Sequence, residues 1–213
     1  MIHKILKIKC VKYNEDILSI IYPSQYFLTS SVIRIQEFDN SIDSNKFTLD
    51  SILDAYVYKH GKLSYFSDWA GFCITDETIK GFYDSLKLSL SDKEKVFFSA
   101  IKKNIKNWKN SRYCVVCSTN NKSDFKHELA HCFFYLYKDY ENEMTEIVKK
   151  LSFFSKIRKK LIKLGYSSDS IIDECQAYLS TSNQKFLKEV FNISTNLEIL
   201  KFRQVYNKFK GLA

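Results

Sequence analysis

The sequence predicts an α+β fold, with strands near the N-terminus and a mostly helical remainder. Three observations lead there. The first 40 residues, with DILSIIYPSQYFLTSSVIRIQEF at their centre, are rich in β-branched and aromatic side chains, which suit a pleated, half-buried surface. From FTLDSILDAYVYKHG onward, apolar residues recur every three to four positions, the period of an amphipathic helix. Only 5 Gly and 1 Pro, against a hydrophobic fraction of 45%, leave little room for disorder and supply enough apolar mass for a core.

Taken in order, the strand region turns at Pro23–Ser24. In VIRIQEF, Ile33 and Ile35 fall on one face and Arg34 and Gln36 on the other, as on a half-buried strand. Leu49, Ile52, Leu53 and Tyr56 then mark a helix that Gly61 stops. FSDWAGFCIT (66–75) reads as a loop before a helix, lining a cleft or plugging the core. TDETIKGFYDSLK and SDKEKVFFSAIKKNIKNWKN are two further helices, the second opening on a Ser91–Glu94 capping box. YCVVC is a short strand and STNNKS a polar turn. The helix SDFKHELAHCFFYLYKD follows, capped by Ser123 or Asp124. A charged helix covering residues 141–164 ends at Gly165, another contains DSIIDECQAYL, and one or two more complete the chain.

Composition removes several function classes. No run of ~18 apolar residues lacks charge, so no transmembrane segment is expected. Lysines at positions 4, 7, 9 and 12 interrupt what would be the apolar stretch of a secretory signal. A cytoplasmic location is the expectation, with export by a signal-independent route as the alternative. The six cysteines (10, 73, 114, 117, 132, 175) are scattered, which fits free, mostly buried thiols. CVVC has no second half to make a zinc knuckle and reads as small packing residues. A net charge of +9 can draw in nucleic acid or an anionic surface. The richness in Lys, Ile, Asn, Phe and Tyr accounts for that charge as a compositional bias, so nucleic acid is not the expected partner. KKLSFFSKIRKKLIKLG carries seven basic residues between 149 and 163 around a helical apolar stripe and reads as an amphipathic surface helix.

The chemistry concentrates in KHELAHC. Positions four apart share one face of an α-helix, so His127 and His131 direct imidazole nitrogens at a single point. Zinc takes neutral imidazoles at ~2.0–2.1 Å in a tetrahedral site and lowers the pKa of its bound water to ~7. Glu128, one position round, stands beside such an ion and is placed to accept that water's proton. With four histidines in 213 residues, this pattern is rarely a coincidence. Leu129, Phe133, Phe134 and Leu136 supply a buried side, and Ala130 is small enough for close packing.

HELAH resembles the active-site helix of the zincin metallopeptidases, and the resemblance implies a zinc-dependent peptidase acting on a peptide or protein, with Glu128 as general base. Zincin subclasses differ in their third ligand. Phe134 and Tyr137 stand where the metzincin pattern needs Gly and His, and the remaining histidines, His3 and His60, lie far upstream. A carboxylate is left, as in the gluzincins: SIIDECQAYLS resembles their second ligand helix, with Glu174 at the ligand place and the small Ala177 three residues on. Asp169 and Asp173 fit a solvated acidic helix start better than Glu174 does. The 43 residues from His131 to Glu174, and Tyr178 where thermolysin-like members carry Asp, point to divergent or minimal gluzincins, toxin-type ones included.

The resemblance covers residues 111–182. It divides the chain into an N-terminal α+β portion (1–110), a zincin-like catalytic core (111–182) and C-terminal helices (183–213). It further implies a donor to the oxyanion, Tyr166 first and Tyr178 second, and makes YCVVC the edge strand along which substrate aligns. Helices after residue 183 that blocked the cleft would make the enzyme latent. The competing readings are a catalytically silent zincin scaffold that serves as a binding module, and a basic binder of nucleic acid or membrane surface. Export as an effector or toxin belongs with the toxin-type resemblance.

Overall fold

The computed structural model describes residues 8–38, 47–85, 89–194 and 196–212; His3 and the lysines at 4 and 7 lie outside the described residues. Two compact units divide the chain, Met1–Phe125 and Lys126–Ala213. The α+β class is as the sequence predicts.

The first unit holds a sheet of four short strands, β1 (Lys9–Lys12), β2 (Ile17–Ile21), β3 (Gly71–Thr75) and β4 (Cys114–Ser118), in the order β1-β2-β4-β3. β2 runs parallel to β4, and both outer pairings are antiparallel. All five residues of β4 are buried, which is why CVVC reads as a continuous apolar run instead of alternating. This overturns the expected edge strand. β4 is bonded on both sides, and among the described residues the edges are β1 and β3. FSDWAGFCIT is not a loop either: it supplies a short helix, α3 (Tyr65–Asp68), and then β3, whose Phe72 and Ile74 enter the core.

The second expected strand is a helix, α1 (Gln25–Gln36), capped by Ser24, whose hydroxyl accepts from the Phe27 amide. Its buried residues are Leu28, Thr29, Ser31, Val32, Ile33, Arg34 and Ile35. Neighbours on several sides bury β-branched residues all round it, so tertiary packing overrides strand propensity. Arg34, expected to face outward, is buried and grips Glu94 with two bonds, Nε–Oε1 2.7 Å and Nη2–Oε2 2.6 Å. The same carboxylate accepts from the Ser91 amide at 2.7 Å, completing the capping box of α5 (Asp92–Asn104). As expected, α2 (Leu49–His60) stops at Gly61, whose φ of 71° is left-handed. α4 (Asp76–Ser85) covers most of the helix expected in TDETIKGFYDSLK; its last two residues, 86 and 87, lie outside the described residues.

The motif helix is α6 (Lys122–Leu136). Its cap is Asn121, whose side chain accepts from the Ser123 amide at 2.9 Å, so Ser123 and Asp124 sit within the first turn. The charged helix expected over 141–164 is two helices, α7 (Lys138–Lys149) and α8 (Phe154–Lys163). Between them Leu151 is buried, and Glu198 accepts from both the amide and the hydroxyl of Ser152, at 2.9 and 2.8 Å. That carboxylate competes with the helical carbonyl for the Ser152 amide. A 3-10 turn (Ser168–Ser170) leads into α9 (Ile171–Thr181), followed by α10 (Gln184–Phe186), a π-helical turn (Leu187–Phe191) and α11 (Leu197–Leu212).

α9 packs against α7, α8 and α11. α11 buries Ile199, Phe202, Val205 and Tyr206, so deleting the chain after 183 would strip the unit's core and not merely unblock a cleft. None of the six cysteines is joined in a disulfide, and four of them are buried. Among the described residues no helix is long and apolar enough to cross a membrane.

Candidate metal centre

His127 and His131 occupy the middle turns of α6, and Leu129, Ala130, Cys132 and Phe133 anchor that helix by their burial. Phe134 and Leu136, expected to be buried with them, are only half-buried. Glu174 stands in the first turn of α9 beside Asp173, where the positive end of the helix dipole favours carboxylates. The structure brings the three expected ligands together. The two Nε2 atoms are 3.2 Å apart. Glu174 faces both rings, with Oε2 at 3.7 Å from Nε2 of His127 and Oε1 at 3.7 Å from Nε2 of His131. Donors of a tetrahedral ion with bonds of ~2.0–2.2 Å lie ~3.3–3.6 Å from one another. The separation of the two Nε2 atoms is close to that, each imidazole meets a different oxygen of Glu174, and one ligand atom from each of the three residues lies within 4.8 Å of the other two.

Two further observations test whether a cation suits these residues. Glu174 Oε2 is buried and has no hydrogen-bond partner, and a buried carboxylate oxygen left so is costly unless an ion satisfies it. The field of the site also favours positive charge. Burial opposes protonation of His131, but the hydrogen-bonded carboxylate of Asp173, with the charges of Glu174 and Glu128, outweighs it and holds the imidazole well above the ordinary histidine range. Electron-rich atoms that converge this closely call for a proton or a cation among them.

The sequence reading missed two contributors. Asp173, assigned there to a solvated helix start, accepts from His131 Nδ1 at 2.9 Å. Gln176 is fully buried and donates to Asp173 Oδ1 at 2.8 Å. A signal for the second was present: an amide one position after Cys175 in a stretch otherwise apolar needs polar partners.

Both expected tyrosines are at the site, and they touch. Their hydroxyls are 2.8 Å apart, and the Tyr178 ring lies 4.5 Å from that of His127, centroid to centroid. Tyr178 is backed by Phe186, stacked at 5.5 Å, and by Phe191, edge-on at 5.4 Å. Phe186 precedes the π-helical turn and Phe191 ends it; such a turn is an irregularity often found at functional sites. Tyr166 is set by the end of α8: Gly165, at φ 101°, lets the Tyr166 amide return to the Leu161 carbonyl at 3.2 Å and its own amide to Ile162 at 3.0 Å. That is a Schellman cap. Burial, followed by the nearby carboxylates Glu174 and Glu128, pushes the Tyr178 phenol up to about 12. The Tyr166 phenol is raised further, by burial first and then by Glu174. Both phenols therefore stay protonated near neutrality and act as donors. Glu128 is half-buried on α6, and its charge is felt at His131, Tyr166 and Tyr178 alike.

Comparison with protein-family models, with curated proteins and with solved structures gave no match.

Proposed function

We propose that the chain is a zinc-dependent metallopeptidase, in which His127, His131 and Glu174 hold Zn2+ and Glu128 is the general base. The observation that carries this reading is the convergence of two imidazole Nε2 atoms on the carboxylate of Glu174, one oxygen of which is buried and accepts no hydrogen bond. Zinc, when bound, supplies Lewis acidity to a substrate carbonyl and makes water easier to deprotonate.

The other roles fall to the chain's own residues. Glu128, next to His127 and not needed as a ligand, takes the proton of the attacking water at a carboxylate oxygen and returns it to the leaving amine. The phenol of Tyr166 or Tyr178 donates to the oxygen that becomes negative as the carbonyl turns tetrahedral. The aromatic group formed by Tyr178, Phe186 and Phe191 limits water on the His127 side. A silent scaffold would need only the ligands. The half-buried Glu128, with its charge directed into the same cluster, favours hydrolysis.

The test is Glu128→Gln. The variant should bind one zinc per chain, as measured by metal analysis, and lose cleavage of a peptide library that the native protein cuts. Undiminished cleavage by the variant would remove Glu128 from the mechanism, and failure of the native protein to retain zinc would remove the metal centre itself.

A further inference from the structure

We propose that Gln176 and Tyr140 are positioning residues which, acting through Asp173, fix the nitrogen that His131 presents to the cluster. This deepens the metal-centre reading and rests on it for one of its two measurements. Four groups form a chain running from α7 through α9 to α6. The Tyr140 hydroxyl donates to Gln176 Oε1 at 2.8 Å, Gln176 Nε2 donates to Asp173 Oδ1 at 2.8 Å, and His131 Nδ1 meets the same Oδ1 at 2.9 Å. Gln176 Nε2 also reaches the Ala130 carbonyl, at 3.3 Å, one residue before His131. Tyr140 and Gln176 are fully buried.

The direction of every bond in this chain is forced. An ionised carboxylate and a backbone carbonyl can only accept. Gln176 faces one of each, so its amide nitrogen must point at them and its oxygen at Tyr140. That oxygen can only accept, so Tyr140 must donate. Asp173 accepts, so His131 Nδ1 carries a proton, and Nε2 is the nitrogen turned towards Nε2 of His127 and Glu174, with a lone pair to give once a cation takes the place of its proton. A second carboxylate oxygen, a water or a rotated amide at position 176 would leave that polarity open. An apolar residue would be the cheaper filling for a fully buried place on α9; the amide makes sense as part of the chain. Groups that orient a ligating histidine typically tune affinity by ~10–100-fold.

The experiment compares native protein with Gln176→Met, which keeps the volume and removes the amide, and with Tyr140→Phe, which removes only the terminal hydroxyl. Zinc affinity is measured by competition with a chromophoric chelator. Independently, the metal-free proteins are examined by NMR for the hydrogen-exchange rate of the His131 Nδ1 proton. The expected result is zinc affinity weakened ~10–100-fold in Gln176→Met and a few-fold in Tyr140→Phe, with faster Nδ1 exchange in both and the double variant no worse than Gln176→Met. A merely structural role would change thermal stability and leave both quantities alone. Native affinity and native exchange in folded Gln176→Met overturn the proposal. Should that variant not fold, Tyr140→Phe decides: unchanged affinity and exchange overturn it. If native protein binds no zinc, the metal-centre reading fails, while the exchange comparison still supports or overturns the positioning role.

Discussion

The Tyr166–Tyr178 pair poses a question of proton supply. Each phenol has a single hydrogen, and a hydroxyl separation of 2.8 Å uses one of the two between them. One hydrogen is left for a substrate oxygen, and the partner that gives up its own holds the other in place. The pair should therefore act as a unit. Tyr166→Phe and Tyr178→Phe are each expected to lower kcat by about 10²–10³ with zinc content unchanged, and the double variant by little more than the worse single one. Single-turnover assays on one peptide would measure this, and fully additive losses would show that the two act separately. The sequence brought both tyrosines into consideration without showing that they meet, because their contact depends on the backbone reversal at Gly165. Asp173 was beyond its reach for a related reason. Adjacent carboxylates at a helix start look alike on paper, and only the register of α9 against α6 sends one to Nδ1 of His131 and the other to both Nε2 atoms.

At the scale of elements, the ends of helices do most of the positioning. The end of α8 is a case with a measurable cost. Gly165 has φ 101°, and a Cβ there would meet nothing within 4 Å, so Gly165→Ala introduces backbone strain without a clash. The expected loss is ~1–2 kcal/mol, seen as a lower midpoint in urea, together with a rise in KM or a fall in kcat as Tyr166 loses its anchor. An unchanged midpoint would mean that the turn relaxes freely. The Ser91–Glu94 start and the Gly61 stop are where the sequence puts them, while α6 starts at Asn121 and not at Ser123 or Asp124. The break between α7 and α8 was not legible. Its cause, Glu198, lies 46 residues beyond Ser152, and no local pattern encodes a competitor that distant. α1 escaped recognition because a helix buried on several faces loses the periodicity that would distinguish it from a strand.

At the scale of the molecule, the first unit gathers its core around the sheet, and the six expected site residues all fall in Lys126–Ala213. The buried pair Arg34–Glu94 belongs to the first unit, with side chains only 10% and 4% exposed. Removing one partner leaves the other charge buried and unpaired, at a typical cost of 3–5 kcal/mol. Glu94→Ala is thus expected to lower the thermal midpoint steeply, by about that much free energy, while folded protein below the transition still takes up zinc. A variant that stayed as stable as the native chain would show that solvent reaches Arg34. The basic-binder alternative differs at this scale: it predicts nucleic-acid affinity that falls steeply between 50 mM and 200 mM salt, and it needs none of the cluster at His127.

On the metallopeptidase reading proposed above, the interior position of β4 bears on the kind of inhibitor that would suit the protein. A strand flanked by two partners has already committed its amides and carbonyls, so an extended peptidomimetic has no ladder to join there. On that same reading, compounds that chelate through a hydroxamate or thiolate and carry an aromatic group to stack on Tyr178 and Phe186 are the chemistry to screen first.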